Sequence, residues 1–236
     1  MTRIIRVIRI HFRVIRIDIR IIRIILSMKL TSESKFFVGI IGLTVLIIVG
    51  AVILLSQPAK PIAKELLIPA SAPVRGNKDA KTWLVEFSDF QCPACKAFTA
   101  TVDELATKNP DTLYVAYRHF PLSQHPLAQK AAIAAEAAGA QGKFWDMDKL
   151  LFGSQDTLTD AKFTELAKSL NLDMTAFASA SSNPKTLEKI TSDVAYGNSL
   201  GINATPTFFL NGVKLELGNP EDLKLKVENA LNINSN

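Results

Sequence analysis

FQCPACK, residues 90–96, carries both cysteines of a 236-residue chain, Cys92 and Cys95. Two cysteines separated by two residues can be half of a metal site, a structural staple or a reactive dithiol. A structural zinc takes four ligands. Beyond the cysteines the same domain holds only His119 and His125, which fall near a strand end and the next helix start. Metal is thereby confined to a carrier using two thiolates alone. A disulfide across so short a loop restrains little of the unfolded chain, so the staple reading is weak as well.

The flanks favour the dithiol. TWLVEF, Thr82–Phe87, is an apolar run suited to a central strand. After the cysteines, Phe98, Val102 and Leu105 recur at helical spacing and Pro93 suits a first turn, which predicts a helix from about Pro93 to Lys108. Cys92 then stands at the helix N-terminus, where free N–H groups and the helix dipole stabilise a thiolate. A stabilised thiolate leaves readily, which makes the disulfide form an oxidant. Cys95, one turn further in, is expected to be more buried and to resolve mixed disulfides. Glu86 falls in the apolar strand, six residues before Cys92. It is either a proton acceptor or relay beneath the cysteines or a surface residue of the strand. Asp89 is read as a turn or loop residue. Thr205-Pro206 opens a later hairpin, where proline donates no ladder bond and an X-Pro bond can be cis.

TLYVAYRHF, Thr112–Phe120, predicts a second strand, and the alanine-rich PLAQKAAIAAEAAGA from Pro126 a helix. A further helix is expected over Asp160–Leu170. Another is capped by Asn183-Pro184, reaches Leu200 and is stopped by Gly201. PTFFL-NG-VKLEL has the Asn-Gly signature of a hairpin, and Asn219-Pro220-Glu221-Asp222 opens a last helix. Strand, helix, strand, helical block, hairpin, helix is the thioredoxin arrangement. The expected fold is therefore α/β, a thioredoxin fold over residues 81–236 with a helical insert at about 126–200.

The net charge of +5 would suit nucleic acid, but its placement does not. Seven of the nine arginines lie in the first 23 residues. From Met28 onward 20 basic residues (27 less those seven) face 21 acidic ones (22 less Asp18). Nucleic acid is not an expected partner. The Arg/Ile leader, residues 1–27, either lies as an amphipathic helix on an anionic bilayer or precedes a true start at Met28, the favoured reading. After a cytoplasmic flank at 28–35, FFVGIIGLTVLIIVGAVILL, Phe36–Leu55, is twenty residues without a charge. At about 1.5 Å per residue it is long enough for one transmembrane helix. A poor cleavage site after it favours an uncleaved anchor. Lys29 and Lys35 ahead of it place the N-terminus in the cytoplasm and the rest outside the cell membrane. Residues 56–80, with Pro58, Pro61, Pro69 and Pro73, are expected to be a semi-extended tether.

VEFSDFQCPACKAF, YRHFPL, GKFWDM and INATPTFFLNG together resemble the DsbA family of extracytoplasmic thiol:disulfide oxidoreductases, in particular its membrane-anchored members. The resemblance runs from about residue 70 to the C-terminus. It implies Cys92 as the exposed nucleophile, Cys95 as its partner and Pro206 as a cis-proline facing the disulfide. It also implies Thr205 presenting backbone to an extended substrate, beside Pro93 and Ala94, and Glu86 as a buried acid below the site. It further implies no cofactor besides the redox-active Cys92–Cys95 disulfide, reduced exported proteins as substrates, and a monomer. Reoxidation would fall to an integral-membrane protein of the DsbB or vitamin K epoxide reductase kind. One position departs from the pattern. Well-known oxidases of this family carry Pro-His between the cysteines, whereas this chain has Pro93 and Ala94. The missing imidazole implies a less oxidising couple. A reductase or isomerase using the same residues, an anchored binding or chaperone module, and a metal carrier are the rival readings.

Overall fold

The computed structural model describes residues 32–55 and 60–235; the Arg/Ile leader lies outside them. The chain divides into two units, one ending at Pro58 and one starting at Ala59. The first holds helix α1, Ser32–Leu55. Its large apolar side chains between Phe36 and Val52 are exposed. Among the described residues no helix is long and apolar enough to cross a membrane, and the described side chains of α1 stop at Val52.

The second unit is organised by β2, Thr82–Ser88, which is buried at every residue. That is the environment its continuous apolar run demands. It pairs in parallel with β3, Leu113–His119, and antiparallel with β4, Thr207–Leu210. β1, Val74–Gly76, lies antiparallel to β3, and β5, Val213–Lys214, antiparallel to β4. The sheet order is β1-β3-β2-β4-β5.

Alternation along the strands sorts their side chains. Leu84, Val115 and Phe208 share a core with Phe98, Val102 and Leu105 of helix α3, Pro93–Lys108, and with Leu223 and Val227 of the C-terminal helix α9, Pro220–Ser235. Val85, Phe87, Ala116 and Phe209 turn to the other face. The register sets Glu86 beside Tyr117 and Ser88 beside His119, in step with Leu84. A polar strip thus continues the α3 face of the sheet toward the cysteines.

The tether expected at 56–80 is corrected. From Ile62 the chain belongs to the fold: Ile62 N–H donates to the Gly212 carbonyl at 2.9 Å. Leu67 in the short helix α2, Lys64–Leu67, is fully buried, and β1 follows. Prolines erase periodicity here and a three-residue strand is too short to display alternation, so the sequence offers no pattern to detect. The hairpin turn carries positive φ at Asn211 and Gly212, as the mirror-image turn requires. A Cβ on Gly212 would meet the Ile62 carbonyl at 2.3 Å, so glycine is also needed for this close approach. The second hairpin strand ends at Lys214, short of the expected VKLEL.

Between β3 and β4 run α4, Ala128–Gly139, α5, Phe144–Gly153, α6, Asp160–Ser169, α7, Met174–Ser182, and α8, Pro184–Ser199. The alanines of α4 are buried at six positions from Ala131 to Ala138, where small side chains let neighbouring helices approach closely. A buried ion pair fastens this insert to the sheet. Arg118 Nε donates to Asp193 Oδ1 at 2.6 Å, with both side chains 4% exposed, and Asp193 Oδ2 accepts from the His119 N–H at 2.9 Å.

Candidate active site

β2 ends at Ser88, and Asp89 shapes the turn into α3. Its carboxylate accepts from the Gln91 N–H at 2.7 Å and the Leu122 N–H at 2.8 Å, and lies 2.6 Å from His125 Nδ1. Asp89 is a loop residue as expected, but a buried one that ties two loops together. The turn delivers Cys92 to the N-cap position of α3 with extended backbone and Pro93 in the first turn.

Both thiols are unjoined in the structure. Cys95 is fully buried, as expected. Cys92 is 7% exposed, which corrects the expectation of an openly exposed nucleophile. Its flank shields it on one side: Sγ donates to the Thr205 carbonyl at 3.3 Å across the cis Thr205–Pro206 bond. Pro93 and Ala94 form an exposed rim on the other. The structure therefore brings Cys92, Cys95, Thr205, Pro206, Pro93 and Ala94 to one place.

The two thiols are electrostatically unlike. The Cys95 side chain, hydrogen-bonded to Cys92, pulls the Cys92 thiol down to about 5 against the penalty of burial. The Thr205 side chain and the backbone amides of Cys95 and Ala94 add to this. These amides are the unpaired donors of the α3 N-terminus. Burial drives Cys95 far above the ordinary thiol range, and its bond to Cys92 and the nearby Glu86 push the same way.

Glu86 is 6% exposed, which removes the surface-strand reading. Burial raises its carboxyl to about 7, with Ser88 and Arg75 opposing. It therefore exchanges its proton near neutrality, where a general acid or base is useful.

Three contributors escape the sequence. Gln155, buried in the short turn after α5, donates its side-chain amide to the carbonyls of Phe90 at 2.8 Å and Cys92 at 3.0 Å. Phe90 stacks on Tyr117 with centroids 5.2 Å apart. Asp148 of α5 is 3% exposed. SQDT has no periodicity to mark Gln155, and a lone acid on an amphipathic helix looks like a solvated face. Among the described residues no group of three or more His, Cys, Asp or Glu is arranged to hold a metal.

A sheet of this order with a dithiol at the start of its first long helix and a cis-proline opposite defines a thioredoxin-class oxidoreductase. Comparison with known proteins bears on the same point. The family model described as thioredoxin matches residues 70–229, and this chain belongs to that family, with the DsbA-like thiol:disulfide oxidoreductases as its structural neighbours. A thioredoxin-like oxidoreductase from Silicibacter pomeroyi superposes with a TM-score of 0.62 at 26% identity, covering 72% of this chain and 98% of that one. The thiol-disulfide exchange protein alpha-DsbA2 from Wolbachia pipientis gives a TM-score of 0.64 at 20% identity over 71% and 91%, a likeness of fold. Among curated relatives, the Na(+)/H(+) antiporter NhaA 1 of Mycolicibacterium vanbaalenii is 38% identical over 164 residues, 67% of this chain. The chain spans only 27% of that protein's length.

Proposed function

We propose that this chain is a membrane-anchored, extracytoplasmic oxidant of protein dithiols. The observation that carries the reading is the asymmetry of the pair: a Cys92 thiol held near 5 at a helix N-terminus, against a buried Cys95 driven far upward. A substrate thiolate attacks Cys92, the Cys92–Cys95 bond breaks, and its electron pair stays on Cys95 Sγ, which takes a proton. A second substrate thiolate then attacks the substrate sulfur of the mixed disulfide, closing the substrate disulfide and expelling Cys92 as a stable thiolate. Glu86 serves the Cys95 proton. The Thr205 backbone and the Pro93–Ala94 rim receive the extended substrate.

The substrates are reduced exported proteins. Regeneration falls to an integral-membrane reoxidase of the DsbB or vitamin K epoxide reductase kind, with the cysteine pair as sole redox group and the chain as a monomer. The sequence alone, twenty residues without a charge from Phe36 to Leu55, supports the anchor. The likeness to part of proteins named as ion antiporters supports a place at the membrane.

The test supplies a reduced, unfolded protein to the oxidised chain and counts disulfides regained. Wild type should transfer one disulfide per chain and Cys92→Ser none. Catalysed reduction of a disulfide protein without any oxidation would instead assign the reductase direction. Extraction of the full chain from membranes by carbonate would overturn the anchor.

A further inference from the structure

The turn that delivers Cys92 is fastened by one side chain. Asp89 Oδ1 accepts from the Gln91 N–H at 2.7 Å, and the Asp89 carbonyl accepts from the Cys92 N–H at 3.0 Å. The carboxylate thus closes an Asx-turn inside a four-residue backbone turn, a local device that suits aspartate. Oδ2 reaches outward instead, to the Leu122 N–H at 2.8 Å and to His125 Nδ1 at 2.6 Å. The loop after β3 adds a second tie, from the Leu127 N–H to Gln91 Oε1 at 2.5 Å. Asp89 and Gln91, the residues on either side of Phe90, are therefore both bonded to residues 122–127.

The Asp89 side chain is 0% exposed, and among the described residues no Lys or Arg side chain bonds it. Arg118 of β3, Lys189 of α8 and Lys130 of α4 are engaged by Asp193, Glu136 and Asp160. His119, the other histidine of this unit, faces Glu136. An ionised carboxylate only accepts, so His125 Nδ1 carries the proton in this bond. Among the described residues the imidazole is then the one side chain that offsets the buried Asp89 charge, drawing it toward the loop. A like charge nearby disfavours ionisation, and burial leaves it poorly screened. Unrelieved, Asp89 would oppose a negative charge on Cys92, whose N–H its own carbonyl holds.

We propose that His125 is a positioning residue that tunes the Cys92–Cys95 couple through Asp89, offsetting a buried carboxylate at the foot of the active-site turn so that Cys92 ionises. Reduction by two glutathione thiols forms oxidised glutathione, breaks the Cys92–Cys95 bond and leaves an electron pair on each sulfur. One proton goes to Cys95 and one to solvent, and Cys92 remains as the anion. The disulfide form carries no such anion, so the Asp89 charge acts on the reduced form alone. His125 therefore makes the disulfide a stronger oxidant, although neither it nor Asp89 touches a reacting atom.

The inference rests on the dithiol reading, but neither on the direction of electron flow nor on the anchor. Its test equilibrates the full chain with reduced and oxidised glutathione at pH 7 and reads the fraction of Cys92–Cys95 disulfide. His125→Leu should lower the reduction potential by about fivefold in the exchange constant, roughly 20 mV. The His125 ring borders a cleft of about 360 Å³ with Leu122, Pro126 and Ile190, so a leucine there meets apolar walls. His125→Asn, which keeps a donor near the Nδ1 position, should retain most of the wild-type potential; a loss as large as in the leucine variant would overturn the proposal. Asp89→Asn removes the charge and should move the potential upward by a similar factor. Its amide cannot accept all three N–H groups, but that cost falls on both redox forms and cancels in the potential. In the Asp89→Asn background His125→Leu should have no further effect, because the charge to be offset is gone. A merely structural clamp would lower the melts of both redox forms equally and leave every potential unchanged. That result would overturn the proposal, as would shifts of the same sign in Asp89→Asn and His125→Leu. Opposed shifts in a chain that only reduces protein disulfides would reject the proposed oxidising function and leave the tuning role standing. Protein oxidation with unshifted potentials would do the reverse.

Discussion

The Gln155 side-chain amide donates to the Cys92 carbonyl at 3.0 Å, so the helical insert holds the nucleophile by its own backbone. The same amide takes the Phe90 carbonyl. Gln155→Ala would leave the Phe90 carbonyl unpaired and the Cys92 carbonyl with the Lys96 N–H alone, at 3.2 Å, a loss of about 1–3 kcal/mol. The variant should unfold at lower denaturant with an unchanged slope, and the alkylation midpoint of Cys92 should rise as the turn loosens. The neighbouring Lys96–Asp156 pair, at 2.8 Å with Asp156 83% exposed, should be worth under about 1 kcal/mol when Asp156→Ala is compared by the same melt.

A thiol held near 5 makes the reduced protein's stability depend on pH, whereas the disulfide form has no thiol to titrate. The folded Cys92 value lies below the ordinary thiol value near 9. The unfolded chain therefore binds more protons between these limits, and the stabilisation grows as pH rises through 5 and is lost as pH falls through 5. At pH 7 the reduced form should gain about 3 kcal/mol relative to the oxidised form, and nothing at pH 4. Denaturant melts of both forms at the two pH values check this. Equal stability gaps at pH 4 and 7 would deny the thiolate.

The elements most legible in the sequence are those with a local code. Pro93 with Phe98, Val102 and Leu105 marks α3, Asn183-Pro184 marks α8, and Asn211-Gly212 marks the hairpin turn. Cys92 and Cys95 were legible because short spacing and turn chemistry place them, whereas Pro206 as a cis-proline facing them came from the family resemblance. What was hidden depends on partners far along the chain. β1 is defined by β3 rather than by its three residues, and the Arg118–Asp193 pair joins positions 75 apart. Gln155 and Asp148 acquire meaning only when the insert folds back on the site. Burial itself was ambiguous at Glu86, since a strand residue's face is fixed by pairing and not by its identity.

Glu86 gives stability of the opposite pH sense. Its folded value near 7 lies above the ordinary carboxyl value of 4.5. The folded state binds the extra proton, so the contribution is fully present below about 4.5 and is lost as pH rises through 7. The span corresponds to about 3 kcal/mol at most. In the oxidised protein, Glu86→Gln should therefore be more stable than wild type at pH 8 and close to it at pH 4, read by thermal melts across that range. A variant destabilised equally at both values would mean that the carboxyl is fixed in one protonation state.

Ala94 is exposed on the first turn of α3, between a thiolate-forming residue and the one that resolves it. Its methyl group supplies neither charge nor hydrogen bond to Cys92; the side chains that lower the thiol are Cys95 in the same turn and Thr205 across the site. An imidazole at this position would stand beside the developing thiolate and favour the reduced form, because a cationic or donating neighbour stabilises the anion. Ala94→His should raise the reduction potential by roughly 30 mV or more, a tenfold change in the exchange constant for a two-electron couple. Equilibration with glutathione, read from the fraction of disulfide, measures it directly. The substitution sits on solvent and displaces no buried group, so the melt should stay within about 0.5 kcal/mol of wild type in the oxidised state. A potential that stays fixed or falls would mean that the α3 amides and the Cys95 thiol already saturate the Cys92 anion, and the direction of electron flow would then be set by the reoxidising partner rather than by residue 94.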